Sequence, residues 1–440
     1  MVGEIENLLG PQVVEELDFE ALEIAVRDRT RRVAAQVFQQ RLNRDLSDGS
    51  SAQRACPCGQ MARYVDRRSK TFQSVLGELK LERAYYHCSA CQRGFCPRDR
   101  VLGLEGSSLT PAVTRMIGAV GATVSFEEGS TLLQELAGLH IDPKQVERTA
   151  EALGEEVAQD ERTHVEPAPE GEIPPTLYLG LDGTNIPMRP SELEGRKGKQ
   201  ADGSAKSREV KLCTAWSAES RDEEGRPVRD EGSVTYSAAL ESAAALDTDA
   251  ERSEFAERVR REATRRGFSR APRQVVLGDC ASWIWNTAVE LFPNALQIAD
   301  RYHVKERLST VAKEIHGKTN PEAQQWAKLR HDELDDEQVD AIVQALSEHS
   351  LHCQEARKCM DYFQRNRQRM RYREFHAQGL CTSSGVVEAG CKVAIGARLK
   401  QSGMHWSARG ANAIIALRCV RLSGRFEDFW ERRSARKKAA

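Results

Sequence analysis

Between residues 13 and 46 apolar positions recur at helical spacing (VVEELDFEALEIAVRDRTRRVAAQVFQQRLNRDL), which predicts one long amphipathic helix closed by the polar run SDGSSAQR. From Cys56 to about Arg98 the period shortens to alternation and β-rich runs. TFQSVLGELKLERAYYHC predicts a hairpin that turns near Leu76-Gly77-Glu78. Residues 110–160 return to the helical period in three segments, and Asp142-Pro143 suits the N-cap and first turn of the third. Three short helices with a tight final turn suit a helix-turn-helix, which reads the DNA major groove, although such trios also serve as plain packing units.

The Pro-rich stretch VEPAPEGEIPP then marks the clearest boundary. After it come an apolar run ending in Asp182 (TLYLGLD), the polar loop SELEGRKGKQADGSAKS, and two further strand patterns, REVKLCTAWS and SVTYSAAL. Residues 247–267 read as helix, RQVVLGDCASWIW as a buried strand running into a helix, and ALQIADRYH as a strand ending near Asp300. Three strands, a helix, a strand, a helix and a strand compose a mixed α/β sheet of the ribonuclease H kind. Residues 304–380 are almost wholly helical in pattern, a large insertion, and a Ser-Gly break at 384–385 precedes another helix. The expected organisation is a helical segment (1–48), a β module (49–104), a helical DNA-binding domain (105–165), the first part of the sheet domain (174–303), the helical insertion (304–380), and the end of that domain with a basic tail (381–440).

Composition narrows the class. Of 440 residues, 40% are hydrophobic and 30% charged, which excludes a mostly disordered chain. No stretch approaches the ~20 apolar residues that span a bilayer. The acidic N-terminus lacks a basic segment followed by an apolar run, so no signal peptide and no membrane association are expected, and a cytoplasmic, nucleoid-associated location is. The net charge of −2 hides an asymmetry: residues 381–440 hold 12 Lys+Arg against 4 Asp+Glu, and RNRQRMRYR (365–373) adds five arginines. Such segments suit a polyanionic partner as readily as a solvated face.

Five of the 12 cysteines (Cys56, Cys58, Cys88, Cys91, Cys96) crowd into 41 residues, which in a reducing compartment favours metal ligation over bridging. Cys56-Pro-Cys58 and, thirty residues on, Cys88-Ser-Ala-Cys91 flank the predicted hairpin, a pattern for structural zinc in a ribbon-like module. The first knuckle is tighter than the usual spacing, so Cys96 or His87 is a candidate replacement ligand; buried free thiols are the plain alternative.

Asp182 (LYLGLDGT) and Asp279 (VVLGDCAS) end apolar strands, where sheets of this kind place ligands. Glu388 (SSGVVEAGCKV), at the start of a helix, is the third candidate. Two or three carboxylates make a cradle for hard divalent cations such as magnesium, and two ions in such a cradle serve in-line displacement at phosphorus. Asp300-Arg301-Tyr302-His303 could set an imidazole beside a scissile phosphate. Taken singly, each acid reads equally well as a turn or cap carboxylate, and an Asp-x-x-His alone as a polar turn.

In this order, LYLGLDGTNIPM, GRKGKQADGSAKSREVKLCTAW, VVLGDCASWIW, IADRYHVKERL and TSSGVVEAGCK resemble the Kra-type family of bacterial insertion-sequence transposases. That family is similar to a wider group with a helical insertion before the last acid, including the Mutator-like and hAT elements. The resemblance extends to CPCGQ and ERAYYHCSACQRGF and covers nearly the whole chain. It implies a ribonuclease H-like α/β fold with an all-helical insertion, a catalytic triad of Asp182, Asp279 and Glu388 holding Mg²⁺ or Mn²⁺, and an accessory Cys/Asp-x-x-His motif at Asp300 and His303.

Beyond the acid, Lys392, Arg398 and Lys400 are candidates to neutralise backbone phosphates. Trp406 is a candidate to stack on a displaced base, against a core or interface role. The expected function is a DNA transposase that binds terminal inverted repeats and cleaves and joins strands. Double-stranded DNA is the expected partner, and a homo-oligomer is expected to hold two ends together. The rivals are an inactive DNA-binding derivative and a repair or junction nuclease on the same fold.

Overall fold

The computed structural model describes residues 18–168, 170–171, 173–198, 200, 203–245 and 251–439. Residues 13–17 of the expected N-terminal helix and 247–250 of the expected helix 247–267 lie outside them. The chain divides into two compact units, 1–153 with 427–440, and 154–426.

In the first unit, α1 (Phe19–Arg44) is followed by the strands β1 (Gln53–Ala55), β2 (Met61–Ser74), β3 (Gly77–Cys88) and β4 (Arg93–Phe95), which form an antiparallel sheet in that order. The hairpin expected around residue 76 is present: Ser74 pairs with Gly77, so Val75 and Leu76 make a two-residue turn, and Gly77 takes a φ of 115° that favours glycine. The helix is less amphipathic than its spacing predicts. Ala35 is its one buried residue, packing with Phe72, Leu79 and Leu81, while Phe19, Ile24, Val37 and Phe38 stay exposed. Buried Asp48 ties the sheet together by accepting from Arg67 Nη1 (2.9 Å), Ala84 N (2.9 Å) and Arg98 Nη2 (3.1 Å). After α2 (Pro97–Val101), the three expected helices follow as α3 (Pro111–Thr123), α4 (Phe126–Ala137) and α5 (Pro143–Thr163). Ser125 caps α4 by accepting from Glu128 N, and Gly138 ends it in the left-handed region.

The second unit is built on β5 (Thr176–Pro187), β6 (Ser207–Ser217), the short pair β7 (Ser220–Arg221) and β8 (Pro227–Val228), and β9 (Thr235–Ala239). Then come α6 (Glu254–Arg265), β10 (Arg273–Gly278), α7 (Ser282–Leu291) and β11 (Leu296–Ala299). The main sheet has the order β11-β10-β5-β6-β9, in which β10 runs parallel to β5 and β11 while β6 is antiparallel to β5 and β9. This mixed α/β arrangement reproduces the expected succession of strands and helices. On one face Leu177, Leu179, Leu181, Cys213 and Val276 pack under α6 and α7. On the other, Tyr178, Trp216, Val275, Leu277 and Ile298 meet a helical layer: α8 (Arg301–His316), α9 (Pro321–Asp335), α10 (Val339–His349), α11 (Gln354–Asn366) and α12 (Tyr372–Ala377).

The chain then forms α13 (Gly385–Gly390), which continues through a π-helical segment (Cys391–Gly396) into a last turn, Ala397–Leu399. It ends in α14 (Ala408–Leu422) and α15 (Phe426–Ala439); the run Ala413–Val420 in α14 is largely buried, as its apolar pattern predicts. Four of the five arginines of the basic run 365–373 have partners within the unit: Arg365 bonds Asp361 O, Arg367 Asp340, Arg369 Gln297 and Arg371 Glu374. Among the described residues, no helix is long and apolar enough to cross a membrane.

Candidate functional site

Register fixes where two of the expected acids emerge. Leu181 of β5, Gly278 of β10 and Ala299 of β11 stand side by side, so Asp279 and Asp300 follow the ends of β10 and β11 next to the level of Asp182. Asp182 itself lies inside β5, paired with Leu212 of β6, and not at the strand end the sequence predicts. Neighbouring strands run about 4.8 Å apart and in-register side chains share a face. That face is the one carrying Gly180 and Leu277.

Gly180 brings the third acid to the same face. A Cβ there would sit 1.9 Å from Val387 Cγ2 and 2.8 Å from both Thr214 Oγ1 and Trp216 Cζ3. Only the bare backbone of a glycine lets α13 lie against β5. Gly390, one turn on, makes a second close approach, to Leu212 and Thr214 of β6. Cys391, at the start of the π-helical segment, donates its thiol to Asp182 Oδ2 at 3.3 Å, which ties this helix directly to the β5 carboxylate. Glu388 lies one turn earlier, half exposed, with Oε1 2.8 Å from Lys392 Nζ.

Burial raises the pKa of Asp182, and the charge of Asp279 adds to the rise; the Gly183 N–H, the Cys391 thiol and His303 act against it. Burial is the larger cause and the Asp279 charge the smaller one. Asp279 closes its own turn, Oδ1 accepting from Ala281 N at 3.0 Å. The next residue, Cys280, holds a φ of 70°, unusual for a side chain with a Cβ, and burial pushes its thiol up to about 11. Asp300 is buried at 1% exposure and bonded inward. His303 sits with Nδ1 3.1 Å from Asp300 Oδ2; that contact, reinforced by the charges of Asp279 and Asp182, raises its pKa to about 9. A cavity of about 310 Å³ opens beside Asp279 and His303, lined also by Glu306, Arg307, Thr310 and Tyr362.

The structure thus groups Asp182, Asp279 and His303 within electrostatic reach, and joins α13 to them through Cys391. It does not gather the ligand oxygens of Asp182, Asp279 and Glu388 within 4.8 Å of one another. Lys400 Nζ donates to Thr184 Oγ1 at 2.5 Å, two residues past Asp182, and Lys392 extends into solvent. Arg398 is a correction to the sequence reading, and of the two readings of Trp406 its burial fits the core role, not stacking on a base. Arg398 is fully buried beside Met404 Sδ (3.4 Å) and the Trp406 ring, and Trp406 is 6% exposed with Nε1 donating to Leu399 O. Both hold the segment after α13 in place, and neither side chain is open to a nucleic acid. Sequence reasoning passed over Gly180 and Cys391; a glycine inside a buried strand was the available signal for the first, whereas a cysteine in a helix carries none.

In the other unit, Cys56, Cys58, Cys88 and Cys91 bring all four sulfur atoms within 4.8 Å of one another, the one group of its kind among the described residues. Sγ–Sγ distances of 3.6 Å (Cys56–Cys91) and 3.7 Å (Cys58–Cys88) match the edge of about 3.8 Å expected for tetrahedral zinc with bonds of about 2.3 Å. The four-cysteine group could therefore hold a metal such as zinc. Neither Cys96 nor His87 belongs to it. The tight first knuckle works because Gly59, at φ 84°, turns the chain so that Gly59 N bonds Cys56 O (2.9 Å) and Cys56 N bonds Gln60 O (2.8 Å). The Cys91 and Ala90 N–H groups help pull the Cys88 thiol down to about 7, favouring the thiolate a metal needs.

Residues 248–434 match the Uncharacterised protein family (UPF0236), a region that contains Asp279, Asp300, His303 and Glu388 and begins after Asp182. No curated protein matches the chain. Among solved structures, the Drosophila P element transposase strand transfer complex aligns over 77% of this chain and 84% of its own, at 11% identity and a TM-score of 0.26, a score that establishes neither fold nor function.

Proposed function

We propose that the chain is a DNA transposase of the Asp-Asp-Glu class, with Asp182, Asp279 and Glu388 as metal-binding acids on a ribonuclease H-like core. The observation that carries this reading is the register of β5 and β10, which sets Asp182, inside β5, beside the end of β10 that Asp279 follows, under α13, the helix that bears Glu388. The strand order, with three antiparallel strands followed by two parallel ones on the far side of the first, supports the ribonuclease H-like core. The helical layer between β11 and α13 supports the resemblance to transposases with an insertion before the last acid.

Oxygen-only donors at this site suit magnesium or manganese, which when bound would activate the attacking oxygen and stabilise the leaving one. The protein's share is positioning. Asp182 is fixed by the Gly183 N–H and the Cys391 thiol, and Asp279 by its own turn. Lys400 and Lys392 stand ready to neutralise strand phosphates around Glu388. In the other unit, the four-cysteine module is read as a zinc ribbon that stabilises a small sheet and, with the α3–α5 helices, contributes to DNA binding.

The test is incubation of the full chain with magnesium or manganese and labelled duplex carrying the element's terminal inverted repeats. Metal-dependent cleavage by the wild type and none by Asp182→Ala supports the reading. Equal cleavage by both, or repeat binding with no cleavage under any divalent ion, contradicts it.

A further inference from the structure

The helical insertion begins and ends at one buried carboxylate. Asp300 Oδ1 accepts from Tyr302 N at 2.6 Å and His303 N at 3.3 Å, capping α8, the insertion's first helix. Asp300 Oδ2 accepts from Ser384 N at 2.8 Å, and Ser384 is the residue immediately before α13. A backbone bond beside it, Arg301 N to Thr382 O at 2.9 Å, closes the same junction. His376 Nε2 and Thr382 Oγ1, 2.9 Å apart, fasten α12 to it. Ser384 O in turn accepts from Glu388 N at 2.8 Å. One chain of hydrogen bonds therefore runs from the end of β11 through Asp300 and Ser384 to the backbone of Glu388.

We infer that Asp300 is a positioning residue rather than a further catalytic acid: it clamps the two ends of the insertion together and so sets where Glu388 stands relative to Asp182 and Asp279. Both of its oxygens accept from backbone donors, Oδ2 also stands 3.1 Å from His303 Nδ1, and its burial leaves neither free for a substrate. A charged acceptor shared by a helix N-terminus and a second chain segment is a strong hydrogen-bonding arrangement. The inference rests on the transposase reading for its consequence in catalysis, but not for the clamp itself.

Three variants of the full chain test it. Asp300→Asn keeps the size and one acceptor but presents an amide NH₂ where the second oxygen now accepts. Ser384→Pro removes the donor N–H and sets a ring carbon against Asp300 Oδ2 in its place, at a φ of −83° that lies near the value of about −65° proline imposes. Ser384→Ala keeps the N–H. Hydrogen exchange over residues 385–390 is expected to quicken by about tenfold or more in Asp300→Asn and Ser384→Pro. Metal-dependent DNA cleavage should fall by a similar factor in kcat with KM for DNA little changed, and Ser384→Ala should leave both readouts at the wild-type level. Asp279→Asn is the contrast, losing cleavage without altered exchange. The clamp is overturned if Asp300→Asn abolishes cleavage while exchange over 385–390 stays at the wild-type rate, or if Ser384→Pro leaves both unchanged. If the wild type cuts no DNA, the transposase reading fails, and the exchange rates alone still decide the clamp.

Discussion

The four-cysteine group could hold a metal and the carboxylate site is proposed to, yet the chain assembles them in opposite ways. The four thiols come from two knuckles at the ends of one hairpin, and their sulfur atoms already stand within 4.8 Å of one another. The acids come from two strands and a helix spread over some two hundred residues, and their like charges act against convergence: Asp279 raises the pKa of Asp182. A closed site that only holds a sheet together can be dry, local and complete. A site that must admit a substrate keeps its ligands apart on a rigid frame, where a divalent cation between them would offset the repulsion.

The largest effect should follow from breaking the compact member of the pair. Cys88→Ser removes a buried ligand, and structural zinc is worth about 10 kcal/mol or more in small modules. Metal content measured by elemental analysis should drop from one ion per chain to almost none, and exchange protection across β1–β4 should collapse while β5–β11 keep theirs. A wild-type chain with no bound metal would remove the centre from the account.

Next in size is the loss of a strand-end acid. Asp279→Asn should lower metal-dependent cleavage by about a thousandfold, the scale of losing a group that acts in the transition state. The stability readout carries the opposite sign. A carboxyl whose folded pKa lies above its unfolded value stabilises the fold only when protonated, and that stability is lost as pH rises through the folded value. Asp182→Asn should therefore raise Tm at neutral pH in metal-free buffer while ending cleavage. A lowered Tm would mean that the Cys391 and Gly183 bonds outweigh burial and repulsion.

Gly180→Ala probes the frame rather than the acids. Its Cβ would press into Val387 and lever α13 off β5, at a cost of about 1–3 kcal/mol in urea unfolding. Cleavage should fall more than stability alone explains, because Glu388 moves with the helix. The smallest effect belongs to His303. Its raised pKa makes the Asp300–His303 contact fully stabilising below about 6.5, and that contribution is lost as pH climbs through about 9. With the ring nearly one-third exposed, screening should leave about 1–2 kcal/mol. His303→Gln should flatten the difference in metal-free stability between pH 6 and 10; an unchanged profile would sever the pair.

The contrast also explains what the sequence made legible. Strand and helix order came through because buried strands such as VVLG and LYLGL are continuous apolar runs, and the hairpin was visible because its alternation is local. The cysteine spacing named its own ligands, apart from the choice among Cys58, Cys96 and His87, which the turn at Gly59 decides. Asp182 and Asp279 could be picked from the apolar runs they follow, although β5 continues past Asp182 to Pro187. Their alignment depends on the register of the parallel β5–β10 pairing, which no local pattern encodes. Arg398 was misplaced for a related reason. A basic residue after an acid reads as surface until the fold wraps Met404 and α14 around it. The inward turn of Asp300 was equally hidden, since its partner Ser384 lies beyond the whole insertion.

The most direct trial of the central claim is a double-mutant comparison of manganese-dependent duplex cleavage by the wild type, Asp279→Asn, Glu388→Gln and the combined variant. Groups that work as one unit are expected to give losses that do not multiply, so the combined variant should be no slower than the worse single one. Glu388→Gln cutting at the wild-type rate, or single losses that multiply in full, would contradict a site shared by Asp182, Asp279 and α13.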